Sequence, residues 1–219
     1  SRGRMELLHG LVDVVLHLDR HLVELLAQHG AWIYAILFAI IFAETGFVVT
    51  PFLPGDSLLF AAGALAAVDA SGTLRLAPLL ALLALAAVGG NTLNYSIGRA
   101  VGPRAFSGHN RLLSVEHLQR TEAFFARHGA LAIVLSRFVP IVRTFAPFVA
   151  GIGRMPHARF QGYNIAGGAG WVLAFCLGGF AFGNLPWVKQ HFGLVTIAII
   201  VASLVPLVVS VLRERRAGP

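Results

Sequence analysis

Two charged segments, each containing a proline, interrupt otherwise apolar stretches of this chain. The first, at residues 44–57, holds two acids, and the second, at residues 136–144, holds two arginines. These four charged residues are Glu44, Asp56, Arg137 and Arg143. An ionised side chain at the centre of a bilayer costs about 3 kcal/mol or more. Four unpaired charges would cost ~10 kcal/mol, comparable with the net stability of a domain. We therefore expect them to meet each other or water at membrane depth, as candidates for a functional site.

The composition predicts an all-α polytopic membrane protein with a single membrane domain. Of the 219 residues, 57% are hydrophobic and only 12% are charged, whereas soluble domains carry about 25% charged residues. The net charge of +7 does not indicate a nucleic-acid partner, because the basic residues lie between apolar segments. There they serve as topology signals and as contacts for anionic head groups. The single cysteine, Cys176, allows no intrachain disulfide.

The remaining segments follow from their hydrophobic patterns. Residues 1–29 predict an amphipathic helix that lies in the membrane interface or packs on the protein. Its acidic residues also argue against a cleavable signal peptide. We then expect a first repeat at about 30–102, a surface helix within 103–128, a second repeat at about 129–184, a last span at 189–212 and a basic tail at 213–219. Ser114 and Gly129 are the expected N-cap and C′ residue of the surface helix.

Both repeats begin with a segment too interrupted to cross the bilayer as one helix of ~20 residues. Residues 31–68 are interrupted around Pro51 and Pro54, and residues 130–153 at Pro140 and Pro147. Each segment predicts a re-entrant helical hairpin whose irregular tip is buried in protein. Whether residues 31–50 cross fully stays open. About three full spans are expected, at 74–101, 160–182 and 192–212.

In the two repeats Phe52-Leu53-Pro54 matches Phe138-Val139-Pro140, and the spans that follow match at an offset of 80 residues. Ala86, Gly90, Asn94 and Gly98 then correspond to Ala166, Gly170, Ala174 and Gly178. Both series place a small or short residue at every fourth position, as on a face where helices approach closely. One full span between equivalent hairpins makes the repeats inverted across the membrane, which is a transporter architecture.

Together these residues resemble the DedA family of bacterial inner-membrane proteins, which share the VTT domain. The resemblance covers about residues 30–184. It is carried by Glu44, Pro54-Gly55-Asp56-Ser57, residues 90–99, 125–129 and 136–144, Pro147, Ala150-Gly151 and Trp171. It implies a bacterial cytoplasmic-membrane protein that uses the proton-motive force to recycle the lipid carrier undecaprenyl phosphate. It further implies that Glu44 and Asp56 couple protons and that Arg137 and Arg143 bind phosphate. One departure is Asn91, at a position that is often acidic in the family.

The chemistry of these side chains agrees with the implied roles. Arginine stays charged and presents a planar fork of donors suited to phosphate oxygens. Burial favours the neutral form of a carboxyl group, and a nearby arginine favours the ionised form. Glu44 and Asp56 could therefore bind the arginines when ionised and release them when protonated, in competition with a phosphate head group. The alternative is a set of fixed salt bridges that hold the two hairpins together.

Several neighbouring residues are expected to support the site. Pro54, Gly55, Pro140 and Pro147 are interpreted as helix breakers that shape the cavity. The hydroxyl groups of Ser57 and Thr144 either contact phosphate or cap a half-helix. Asn91, Asn94 and Tyr95 either line a polar path or form hydrogen bonds between helices. Trp171 is assigned no chemistry.

No metal, cofactor or enzymatic activity is expected. His17 and His21 have helical spacing but lack a third ligand, and no span carries a Ser/His/Asp or Cys/His constellation. The alternatives left open are a small-ion or drug transporter, a membrane-organising scaffold and a lipid phosphatase. The lack of a catalytic constellation in the spans disfavours the phosphatase. The expected partners are protons, the bilayer and an anionic phospholipid or polyprenyl phosphate, and a homo-oligomer is left open. The basic residues between spans favour a cytoplasmic C-terminus.

Overall fold

A computed structural model describes residues 30–47, 55–69, 71–101, 115–183 and 185–186. This part of the chain is helical and contains no strand, which confirms there that the protein is all-α. The helices are α1 (Trp32–Gly46), α2 (Gly55–Val68), α3 (Leu76–Val101), α4 (Val115–His128), α5 (Ala132–Leu135), α6 (Pro140–Ile152) and α7 (His157–Gly183). Short 3-10 turns at Gly129–Leu131 and Ser136–Phe138 flank α5. The predicted amphipathic helix, last span and basic tail, together with Ser114, lie outside the described residues.

The two longest helices, α3 and α7, form the centre of the molecule. They have 26 and 27 residues, and within the described ranges they are the two helices long and apolar enough to span a membrane. At 1.5 Å per residue each is about 40 Å long. They run antiparallel, because Val88 lies beside Gly168 while Thr92, further along α3, binds Gln161, which comes earlier in α7.

The helices α1 and α2 form a hairpin whose two ends open at the same end of the molecule. Near the start of α1, the Tyr34 hydroxyl donates to the carbonyl of Thr73, beyond the end of α2, at 3.1 Å. At the opposite end of the pair, the carboxylate of Glu44 lies against the backbone of Gly55. The two helices have 15 and 14 residues, each shorter than the ~20 residues that a span requires.

The second interrupted segment has its break at Val139, between a 3-10 turn and α6. Val139 is extended, with φ −119° and ψ 105°, and Pro140 begins α6. The expected second break at Pro147 is wrong, because this proline lies inside α6. A proline removes one hydrogen bond and crowds the preceding turn. Here the buried side chains of Phe145 and Phe148, on a helix that packs against α3, hold the helix together.

The predicted offset of 80 residues between the repeats is also wrong, by one residue. Ala166, Gly170 and Ala174 are exposed. The buried face of α7 instead carries, among others, Gly167 and Gly179. Adding 81 to a residue number in α3 gives its buried counterpart in α7, since both series then fall on contact faces.

Reciprocal contacts between glycines and carbonyl groups relate the two halves by an approximate two-fold rotation. A Cβ at Gly98 of α3 would clash with the carbonyl oxygen of Phe148 in α6, and a Cβ at Gly179 of α7 would clash with that of Phe60 in α2. The second half-helix of each repeat therefore packs on the long helix of the other repeat. This exchange brings the tips of the two interrupted segments together.

Candidate functional site

One guanidinium group, that of Arg143, binds both acids of the first hairpin. Its Nη2 donates to Oε1 of Glu44 at 2.6 Å, and its Nη1 donates to Oδ1 of Asp56 at 2.8 Å. Glu44 lies in the last turn of α1, Asp56 in the first turn of α2, and Arg143 in the first turn of α6. The side chains of Arg143, Glu44 and Asp56 are 9%, 1% and 15% exposed. The structure therefore joins the tips of the two hairpins through a buried three-residue ion-pair cluster.

Gly55 is required for this arrangement by a close approach. Its backbone lies so near the Glu44 carboxylate that any Cβ at this position would clash with Oε2. Glycine has no Cβ, so the backbone and the carboxylate can pack together. The position of Gly55, at the start of α2, thus allows Glu44 to reach across the tip to Arg143.

Arg137, unlike Arg143, contacts no carboxylate within the described residues. Its side chain is almost fully buried, and its Nη2 donates to Oδ1 of Asn164 at 2.8 Å and to the carbonyl of Ala87 at 3.3 Å. Its Nε and Nη1 have no hydrogen-bond partner in the part of the chain that the structure describes. A buried charge that lacks an anion costs several kcal/mol. These two nitrogen atoms can donate hydrogen bonds to an anion.

Trp171 lies between the two arginines and the acids. Its ring centroid is 5.7 Å from Cζ of Arg137 and 5.4 Å from Cζ of Arg143, within the range of cation–π attraction. Its Nε1 donates to Oδ1 of Asp56 at 2.8 Å. Sequence reasoning assigned this residue no chemistry. The available signal was its position near the middle of a span, since interfacial tryptophans lie at the ends of spans.

Asn164 is a second residue that sequence reasoning missed. Its Oδ1 accepts hydrogen bonds from Arg137 and from Nδ2 of Asn91, the latter at 3.1 Å. Its Nδ2 donates to the carbonyl of Val88 at 3.0 Å and lies 3.3 Å from Oγ1 of Thr92. Asn164 is fully buried and holds the Arg137 side chain in place. The sequence signal for it was an amide side chain within an otherwise apolar span.

The remaining predicted residues surround the cluster at different distances. Ser57, the third residue of α2, is buried, and its Oγ has no hydrogen-bond partner among the described residues. The carbonyls of Thr144 and Thr45 accept hydrogen bonds from Nδ2 of Asn94 at 2.9 and 3.3 Å, which ties the two hairpins to α3. Tyr95 lies apart from the charges, and its hydroxyl donates to the carbonyl of Met155. Pro54 lies outside the described residues.

Four ionisable side chains around a tryptophan, beside two helices long and apolar enough to span a bilayer, are the features of a membrane protein with buried charges. The sequence model of the VTT domain family matches residues 53–181 of this chain. The chain therefore belongs to the DedA family of membrane proteins, as the sequence resemblance indicated. No solved structure matches it.

Several relatives have been named. The chain is 48% identical to the protein DedA of Escherichia coli over 215 residues, which is 98% of each chain. It is 39% identical to an uncharacterized membrane protein of Mycobacterium tuberculosis over 189 residues, covering 86% of this chain and 82% of the relative. It is 40% identical to the inner membrane protein YghB of Escherichia coli over 160 residues, covering 73% and 72%.

Proposed function

We propose that the protein is a proton-motive-force-dependent transporter of the bacterial cytoplasmic membrane that translocates undecaprenyl phosphate. In this proposal the two hairpins are re-entrant, the repeats are inverted and the C-terminus is cytoplasmic. The observation that carries the proposal is Arg137, a buried guanidinium two of whose nitrogen atoms have no hydrogen-bond partner among the described residues. It lies beside Arg143, whose nitrogen atoms are occupied by two carboxylates that can be protonated.

The coupling follows from the charges in the cluster. Two acids and two arginines sum to zero, but both acids bind Arg143 and none binds Arg137. A proton on Glu44 would weaken its hold on Nη2 of Arg143 and leave the cluster with one excess positive charge. A phosphate group could then bind between the two guanidinium forks. Release of the phosphate would restore the ion pair and expel the proton, so proton and anion would move together.

Glu44 is the better candidate for the proton of the two acids. Asp56 Oδ1 accepts hydrogen bonds from both Arg143 and Trp171, which fix its position. The Glu44 carboxylate is more deeply buried, and Arg143 binds only its Oε1. In this mechanism Asp56 keeps Arg143 in position while Glu44 takes up and releases the proton.

A lipid-linked anion fits better than a soluble one. The outer faces of the long helices expose large apolar side chains, including Leu85, Leu173, Leu177 and Phe182. These side chains allow the polyprenyl tail to remain in the bilayer while the head group crosses through protein. A scaffold requires no buried guanidinium without an anion, so Arg137 also favours transport over a purely structural role. We propose no enzymatic activity and no cofactor.

The test is translocation in liposomes. The full chain is reconstituted with undecaprenyl phosphate, a pH gradient is imposed, and the lipid that appears in the outer leaflet is measured by an impermeant phosphatase. We expect gradient-dependent translocation that Arg137→Gln abolishes and that Arg159→Lys, at an exposed arginine of α7, leaves intact. Translocation that is equal with and without the gradient would rule the function out. So would an Arg137→Gln protein that translocates the lipid as fast as the unmodified protein.

A further inference from the structure

The correspondence between α3 and α7 is broken where polar residues of one half have aliphatic counterparts in the other. Asn91 and Asn164 form a buried hydrogen bond between α3 and α7. The offset of 81 assigns their symmetry counterparts as Val172 and Leu83, which are both fully buried in an apolar cluster. An exact repeat would place the same layer on both sides of the charged cluster. Here one side has an amide pair and the other has two aliphatic side chains.

The amide pair continues into a chain of hydrogen bonds that reaches the surface. Asn164 Nδ2 lies 3.3 Å from Oε1 of Gln161, and Gln161 Nε2 donates to Oγ1 of Thr92 at 2.8 Å. Gln161 Nε2 also lies 3.4 Å from Nε2 of the exposed His157, the first residue of α7. We define Asn91, Thr92, Gln161 and Asn164 as the polar seam. Because Asn164 also binds Arg137, the seam joins the Arg137 guanidinium to one end of the molecule.

The opposite direction from the cluster is packed with hydrocarbon. Leu59, Leu79, Leu83 and Val172 are buried there in one apolar cluster, and no amide side chain interrupts it among the described residues. Beside the seam, apolar side chains such as Phe160 form a second cluster, but there the amide pair lies next to it. A phosphate that parts the polar seam can exchange hydrogen bonds with its amides and hydroxyl, so little is lost. A phosphate that parts the apolar cluster finds no donors and would be desolvated without compensation.

We propose that the anionic head group reaches Arg137 along the polar seam, from the end where α7 begins, and that the apolar cluster closes the other end in this conformation. This inference rests on the proposed function for the identity of the anion. The geometry of the seam alone carries the direction of access. The structure would then be one of the two states of an alternating-access cycle, open on the side of the polar seam. Gln161 and Thr92 are positioning residues on this open side.

Symmetry supplies a matched pair of positions for the test. Gln161 in the seam and its counterpart Leu80 in α3 are each changed to cysteine in a Cys176→Ala background. Right-side-out and inverted vesicles are treated with a charged, impermeant methanethiosulfonate reagent. We expect Gln161→Cys to react from one face only, about tenfold faster than Leu80→Cys, a ratio that corresponds to about 1.4 kcal/mol. Equal rates at the two positions, or faster reaction at Leu80→Cys, would overturn the inference.

Addition of undecaprenyl phosphate separates this inference from the proposed function. If the lipid slows the labelling of Gln161→Cys, both are supported. If the labelling remains one-sided but the lipid has no effect, the direction of access stands and the identity of the anion is wrong.

A second variant, Gln161→Leu, copies the residue of the apolar half without touching Arg137. We expect it to slow translocation about threefold to tenfold through the loss of the hydrogen bonds that Gln161 makes to Thr92 and Asn164. The affinity for the lipid should not change, whereas a merely destabilised protein would lose both. The matched control is Leu80→Gln, which should not slow translocation. An unchanged rate in Gln161→Leu would contradict the proposed path.

Discussion

Replacement of Glu44 by glutamine is the sharpest test of the competition between carboxylate and phosphate. Glutamine keeps the size of the side chain and can still accept a hydrogen bond from Arg143 through Oε1. It removes the negative charge that occupies Nη2 at 2.6 Å. A hydrogen bond to a charged group contributes about 1.5–3 kcal/mol, and about 1.4 kcal/mol corresponds to a factor of ten. Undecaprenyl phosphate should therefore bind roughly tenfold to a hundredfold more tightly.

The stability of the Glu44→Gln protein should decrease only modestly. Loss of one partner from a buried ion pair costs about 3–5 kcal/mol when the other charge is left bare. Arg143 keeps Asp56 at 2.8 Å and a neutral acceptor at position 44, so we expect a loss of about 1–2 kcal/mol. The protein should reach the membrane at normal levels, which separates an effect on coupling from an effect on folding.

The assay is calorimetric titration of undecaprenyl phosphate in mixed micelles at pH 6 and pH 8. The unmodified protein should bind more tightly at the lower pH, where a proton on Glu44 releases Arg143, and the variant should bind tightly at both. The lipid phosphate itself titrates near pH 6, but this affects both proteins equally. Glu122→Gln, at an exposed acid of α4, is the control. A variant with unchanged affinity and the original pH dependence would refute the competition.

The other predictions concern the remaining parts of the site and its frame. Arg137→Lys should fold normally but lose lipid binding. Arg143→Lys should also lower the thermal unfolding temperature, because an ammonium group cannot hold two carboxylates in one planar fork. Equal behaviour of the two variants would contradict this division of roles. Trp171→Phe keeps the aromatic ring but removes its N–H donor, so translocation should slow while the lipid affinity changes by less than about tenfold. Gly179→Ala should destabilise the protein by about 1–3 kcal/mol through overpacking, measured by thermal unfolding. Gly170→Ala, where a Cβ meets no neighbour within 4 Å, should be neutral.

The features that depend on length and charge could be predicted from the sequence. A helix of ~20 apolar residues is long enough to span a bilayer wherever it occurs, so the bounds of α3 and α7 were predicted to within three residues. The high cost of buried charge likewise required the acids to find arginines, although the structure unites only three of the four. The sequence could not show that Arg143 would take both carboxylates, because this depends on how two distant tips meet.

The register of the repeats shows why the remaining features were harder to predict. One residue corresponds to a rotation of about 100° around a helix, so an error of one moves a whole stripe from the buried face to the exposed face. In α7 the glycines occur on both faces, with Gly167 and Gly168 buried and Gly170 exposed. A pattern of small residues therefore fits two registers equally well. The choice was decided by the contacts of α7 with α2 and α3, which no local pattern encodes.

The exchanged packing of the half-helices has a consequence for the synthesis of the chain. The partner surface of α2 lies on α7, and the hydrogen bonds that join them span 115 residues from Asp56 to Trp171 and 117 from Leu59 to Cys176. At about 5–20 residues per second, α2 leaves the ribosome roughly 6–23 seconds before that surface exists. Asp56 also lacks Arg143, which follows it by 87 residues, for roughly the first 4–17 seconds of this interval. The first half of the protein must therefore be inserted in a provisional arrangement, sheltered by the insertion machinery or by lipid head groups, until the second half arrives to complete it.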